Sequence, residues 1–201
     1  MPWILGGKIA DPVPRAGALR VEGGVIVSKA PRPPPGAEGI DARGLVLVPA
    51  VVDAHVHLSL AGDPALVARE ELRRGVAAVL DLGAPERLLP MDARPLQIRC
   101  SGPMLTAPQG YPTRSWGKNG EGLELATADE ARAAVRRLAE KGARFAKLAL
   151  DPRFPLPAPE VIRAAAAEAH RLGLQVAAHA LEAEQVRTAL DAGADVLAHT
   201  P

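Results

Sequence analysis

A single cysteine, Cys100, leaves this chain no partner for a disulfide within itself. That excludes a disulfide-stapled secreted scaffold and points to a reducing compartment. Charge of one sign is also missing. A formal net charge of +1, with acids and bases mixed along 201 residues, excludes the basic stripe that nucleic acid requires and a polybasic or amphipathic membrane anchor. No apolar run approaches the roughly 18 residues that a bilayer-spanning helix needs. The opening "MPWILGGKIADPVPRAG" lacks a basic stretch followed by a long apolar core. The expectation is a soluble, cytoplasmic protein that handles a small molecule, with no nucleic-acid or membrane partner. Amides are scarce as well: Asn119 is the only asparagine, and arginine far outnumbers lysine. Few thermolabile amides and proline-rich loops suit a thermophile, and a GC-rich genome produces the same bias.

What is present is 48% hydrophobic residues, enough for a sizeable core in one domain or slightly more. Two rhythms divide the chain. Residues 1–48 are short strand-like pieces punctuated by turns. The Gly23-Gly24 pair between "LRVE" and "VIVS" reads as a hairpin turn, and "PRPPPG" (31–36) as an exposed turn or loop. The expectation here is a small antiparallel β unit, the portion of a β-sandwich. Across 49–201, six apolar strand-like runs alternate with helical stretches of 10–15 residues. Many of the helices close on glycine, at Gly75, Gly142, Gly173 and Gly193. A long loop is expected from about 102 to 125. This alternation predicts an α/β fold built from βα repeats around a parallel sheet.

Polar residues interrupt these runs at particular places. The segment "LVLVPAVVDAHVHL" reads as the first strand, placing Asp53, His55 and His57 on one face by the strand period of two. Asp81 lies near the end of the second strand, Lys147 lies in the fourth, His179 ends the fifth and His199 ends the sixth. In a (β/α) barrel the C-terminal strand ends form the active-site face, so these residues would converge. Four imidazoles, a lysine and carboxylates at one mouth suit a divalent cation such as Zn²⁺. Each residue also has a plainer reading. The His-x-His pair, His179 and His199 could be buried core histidines, Lys147 could snorkel outward, and Asp53 and Asp81 could cap turns. His170 reads as a surface residue complementing a helix dipole. The joint pattern favours the metal site, because independent accidents would all have to fall at the same strand ends.

"IDARGLVLVPAVVDAHVHL" resembles the opening segment of the amidohydrolase superfamily, in which a β unit leads into barrel strand 1 with its His-x-His. "FAKLAL", "VAAHA" and "VLAHT" match the family's lysine and two later histidines. "GVAAVLDLGAP", "CSGPMLTAPQGYP" and "AHRLGLQVAAHA" resemble its imidazolonepropionase-like and prolidase-like branch. The resemblance implies hydrolysis of a C–N bond in a cyclic amide, imidazolone or dipeptide. It implies that His55 and His57 hold one metal, His179 and His199 a second, and that a CO₂-derived carbamate on Lys147 bridges them. A single-metal version with an unmodified lysine is the alternative. It further implies Lys147 and His199 as catalytic groups, Asp53 and Asp81 as supports behind the ligands, and Gln109, Tyr111 and Arg114 as a substrate wall. Against that pattern the chain reaches strand 6 of eight, and the strand-8 aspartate lies outside it. Three expectations stay open: a fragment of a longer hydrolase, a barrel completed by a second chain or a second copy, or a non-catalytic metal-binding or interaction module.

Overall fold

The computed structural model describes residues 3–199, and the chain divides after Ala50 into two compact units. The first unit holds one sheet: β1 (Trp3–Ala10), β2 (Pro14–Glu22), β3 (Val25–Ala30), β4 (Gly39–Asp41) and β5 (Val46–Leu47). Gly23 and Gly24 turn between the paired Glu22 and Val25 with φ of +56° and +82°. Positive φ at both central positions gives the turn whose twist matches that of its strands, and glycine adopts it without a Cβ clash. The expectation of an antiparallel unit needs correction. β2 and β3 are antiparallel, but β4 and β5 both run parallel to β1. The chain reaches the free edge of β1 only after the long excursion through β2, β3 and 31–38, and a connection of that length permits parallel return. Nor do the described residues of this unit form two packed sheets.

The second unit runs β6 (Val51–Val56), α1 (Pro64–Arg73), β7 (Val76–Asp81), β8 (Gln97–Cys100), β9 (Met104–Thr106), β10 (Gly122–Glu124), α2 (Ala128–Glu140), β11 (Phe145–Leu150), α3 (Pro159–Arg171), β12 (Gln175–Ala180), α4 (Ala183–Asp191) and β13 (Val196–Leu197). It is an α/β unit whose named strands all pair in parallel, in the orders β6-β7-β8 and β10-β9-β11-β12-β13. Two sequence expectations change here. "LVLVPAVVDAHVHL" is not one strand, because Val48-Pro49-Ala50 separates β5 from β6, and Pro49 has no N–H to give a ladder. The stretch 102–125 is not all loop, since its ends pair as β9 and β10. Between β8 and β9, Gly102 (φ +71°) and Pro103 interrupt the strand. β8 therefore pairs with β7 while β9 pairs with β11, and the Arg144 N–H donates to the Cys100 carbonyl at 2.8 Å beside the break.

Helix ends follow local chemistry. At the start of α2, Thr127 Oγ1 accepts from the Glu130 N–H, and the Glu130 carboxylate accepts from the Thr127 N–H. This reciprocal box satisfies donors that the first turn leaves unpaired. After α2, α3 and α4 the chain turns through Gly142, Gly173 and Gly193 at φ of +96°, +72° and +93°. Each turn carries the same pair of bonds, for example Gly142 N–H to Ala139 O and Ala143 N–H to Leu138 O. Those bonds satisfy carbonyls the last turn would otherwise orphan.

Strand alternation then sorts β11 into two faces. Ala146, Leu148 and Leu150 pack with Val135 and Leu138 of α2 and Val161 and Ile162 of α3 in the main core. The other face carries Phe145, Lys147 and Ala149. There Phe145 packs with Leu82 and with Ala177 of β12. Lys147 and, on β12, His179 continue this second face, away from the helices. Among the described residues no helix is long and apolar enough to cross a membrane.

Candidate active site

The second face opens into a cavity of about 340 Å³ lined by His55, Val56, His57, Leu60, Met104, Tyr111, Trp116, Lys147, His179 and His199. His55 lies in β6 and His57 one residue past its end. Lys147 is central in β11, His179 penultimate in β12, and His199 two residues after β13. Five of the residues singled out in the sequence as ligands thus share one cavity, delivered by four strands.

The ring nitrogens meet in pairs. His55 Nε2 is 3.3 Å from His57 Nε2, and His179 Nδ1 is 2.9 Å from His199 Nε2. The His55 and His199 rings lie 4.7 Å apart between centroids, bringing the pairs side by side. The other nitrogen of His55, Nδ1, is 3.2 Å from the Ala198 carbonyl. A carbonyl only accepts, so Nδ1 carries the proton and Nε2 presents its lone pair toward His57. Among the described residues, no three His, Cys, Asp or Glu side chains form a ready cluster around one point.

Burial sets the protonation. It is the main cause that holds His55 and His57 down to about 4, reinforced by neighbouring imidazoles and Lys147. His179 is pushed to about 4 by burial, then by His199 and Lys147, and His199 is lowered by burial and Lys147. Burial pushes Lys147 from 10.5 to about 7, and among the described residues its Nζ has no hydrogen-bond partner. Near neutral pH the cavity therefore presents neutral imidazoles and a partly neutral amine, the forms that offer lone pairs.

The supporting residues behave differently from one another. Asp53 accepts from the backbone N–H of its own strand neighbour His55 at 3.1 Å. Asp81, fully buried, accepts from the N–H groups of Leu58 and Gly83 at 3.0 and 3.1 Å. It thereby pins the backbone on the C-terminal side of His57. A Cβ on Gly83 would lie 2.6 Å from the His57 ring, so glycine leaves the space that ring occupies. Of the expected substrate wall, Tyr111 lines the cavity, while Gln109 and Arg114 are exposed and are not among its lining residues.

Sequence patterning did not mark Asp151, Met104 or Trp116. Asp151 is buried, is held by Arg153 through Nε and Nη2 at 2.9 and 2.7 Å, and brings Oδ2 to 3.6 Å from His179 Nε2. It follows the apolar run of β11 much as Asp81 ends β7, and that parallel was a usable signal. Met104 lies on β9, a strand with no periodicity of its own to read. Trp116 sits in a polar loop where period has no meaning. Its Nε1–H donates to the Tyr111 hydroxyl at 2.8 Å, and its ring lies 4.8 Å from that of His57.

The amidohydrolase family model matches residues 46–200, from the start of β5 to just past His199. The chain belongs to the amidohydrolase family. An uncharacterized protein of Mycobacterium tuberculosis (strain ATCC 25618 / H37Rv) is 31% identical over 184 residues, which is 83% of this chain and 48% of that one. The chain therefore spans about half the length of the curated relative it matches. The crystal structure of an amidohydrolase superposes with a TM-score of 0.78 at 23% identity, covering 96% of this chain and 59% of that one. A prolidase complexed with N-methylphosphonate-L-proline gives 0.76 at 23% identity, with coverage of 96% and 59%. At these identities the structural likeness speaks for the fold.

Proposed function

We propose that this amidohydrolase-family chain carries the metal-binding face of a hydrolase that cleaves C–N bonds in cyclic amides, imidazolones or dipeptides. In this reading β6, β7, β8 with β9, β11, β12 and β13 are six of the eight strands of a (β/α) barrel. The observation that carries it is the meeting of two imidazole pairs beside the buried Nζ of Lys147, which has no hydrogen-bond partner among the described residues. Two nitrogens bound to one Zn²⁺ at about 2.0–2.1 Å stand roughly 2.8–3.4 Å apart for bond angles between 90° and tetrahedral. The observed separations of 3.3 and 2.9 Å fall within that range, so the donor set fits a borderline divalent cation.

His55 and His57 would hold one ion, and His179 and His199 the same ion or a second. Bound there, a divalent cation lowers the pKa of coordinated water toward 7 and polarises a carbonyl. The chain's own residues prepare this. The Ala198 carbonyl fixes the ring orientation of His55, Asp81 fixes the turn carrying His57, and Asp151 stands behind His179. Lys147, neutral above about pH 7, can offer its own lone pair to a bound cation or add to CO₂ to give a carbamate and a proton.

The test is to load the chain with Zn²⁺, remove excess ion, and follow an Xaa-Pro dipeptide and a five-membered lactam, with His179→Ala as control. Retained zinc and zinc-dependent hydrolysis, both lost in the control, are expected. Zinc retained without turnover would leave a metal-binding module, and no retained zinc would overturn the site.

A further inference from the structure

Only five of the 201 residues are Phe, Trp or Tyr, and the fold concentrates three of them beside the cavity. Tyr111 stacks on His179 with centroids 4.7 Å apart and planes 24° apart. Trp116 lies 4.8 Å from His57, and the Trp116 Nε1–H bond ties its ring to the Tyr111 hydroxyl. Phe154 backs Tyr111 at 5.6 Å. The tied pair thus spans both imidazole pairs, with Trp116 against one and Tyr111 against the other.

Filling space would not require this arrangement, since the main core is built almost wholly from Leu, Val, Ile and Ala. Two rings joined through their only polar atoms keep their apolar faces and edges for neighbours and fix each other's orientation. Beyond the imidazoles and Lys147, the remaining wall is apolar, with Val56, Leu60 and Met104. Methionine's polarisable thioether makes favourable contacts at ring edges. A cavity of about 340 Å³ falls at the small end of ligand sites, which fix a ligand by shape and a few polar groups.

We infer that Tyr111 and Trp116 form a joined aromatic wall that selects substrates presenting a flat, uncharged ring next to the amide bond. This assignment rests on the cavity being the substrate site of the proposed hydrolase. Trp116 acts here as a specificity-determining residue, and Tyr111 also positions the His179 ring through their stack. An aryl amide meets the wall with its π-faces and edges, whereas a saturated ring of the same size meets it only by dispersion.

The test compares acetanilide with N-cyclohexylacetamide, which carry the same acetamide group on a flat and a puckered six-membered ring. Binding is titrated by NMR on the acetyl methyl signal of each amide, a probe that survives in every variant, with the full 201-residue chain, without metal and after zinc loading. Acetanilide is expected to bind roughly threefold to tenfold tighter. Trp116→Leu should bring the ratio close to one while Trp116→Phe keeps most of it. Should a variant fail to fold, the wild-type ratio still decides. Equal affinity for the two amides, or binding of neither, would overturn the wall. A clear acetanilide preference without zinc-dependent hydrolysis would uphold the wall and sink the hydrolase reading instead. Hydrolysis with no ring preference would do the reverse.

Discussion

β11 and β6 lie in one α/β unit and each contributes to the candidate site, yet their surroundings are opposite. All six residues of β11 are buried and none of the six in β6 is. β11 lies between β9 and β12, and its helix-side residues pack against α2 and α3. β6 is the terminal strand of its sheet, with Val51 and Val52 55% and 60% exposed. The lysine and His179 therefore stand on a rigid centre, while His55 and His57 stand on a lightly covered edge. Stability here is local, set by how much apolar surface each strand buries. An ion shared by the imidazole pairs would tie the loose strand to the firm one.

The widest contrast should appear in truncations. Leu148→Ala in β11 removes a side chain that is 1% exposed and is expected to cost about 2–5 kcal/mol. Val52→Ala in β6 should cost about 0.5 kcal/mol or less. Urea unfolding of both variants measures the difference, and equal losses would break the comparison.

Next comes Lys147, which costs the firm strand stability because its amine is buried with no partner among the described residues. Lys147→Met is expected to stabilise the metal-free chain by on the order of 1 kcal/mol or more while abolishing zinc retention. The pH dependence carries the sign. Burial lowers the amine from 10.5 to about 7, so between those values the unfolded chain holds a proton that the folded chain has released. Wild-type stability should therefore gain a rising contribution from about pH 7 to 10. Thermal melts of Lys147→Met should lack that contribution.

The smallest effect concerns Asp151. Its hydrogen bonds to Arg153 hold its carboxyl below the usual range, so its contribution is present above the ordinary carboxylate pKa. It is lost as pH falls through the lowered value. Asp151→Asn should be flatter than wild type across that acid limb in thermal melts. An unchanged acid limb would remove the carboxylate from the account of how His179 is held.

Much of this was legible in the sequence for definite reasons. Gly142, Gly173 and Gly193 mark helix ends because only a left-handed residue closes those turns cheaply. The Gly23-Gly24 hairpin follows from the same property. The histidines stood out because parallel strands are otherwise hydrophobic, so an imidazole at a strand end breaks the pattern. What was not legible depends on partners distant in sequence. β9 and β10 are three residues each, too short to show a period, and exist through the pairing of β9 with β10 and with β11. The parallel pairing of β4 and β5 with β1 is set by where the returning chain finds a free edge. Gln109, Tyr111 and Arg114 look alike as polar or aromatic loop residues. Only the folded loop turns Tyr111 and Trp116 inward and leaves the other two in solvent.

Amide hydrogen exchange with and without one equivalent of Zn²⁺ tests most directly whether the imidazoles of the two regions share a metal centre. Slower exchange is predicted at Val51–Val56 on adding zinc, against a small change at Phe145–Leu150, and His179→Ala should erase the effect in β6. Exchange at Val51–Val56 that ignores zinc, or that responds equally in His179→Ala, would contradict a centre joining the two.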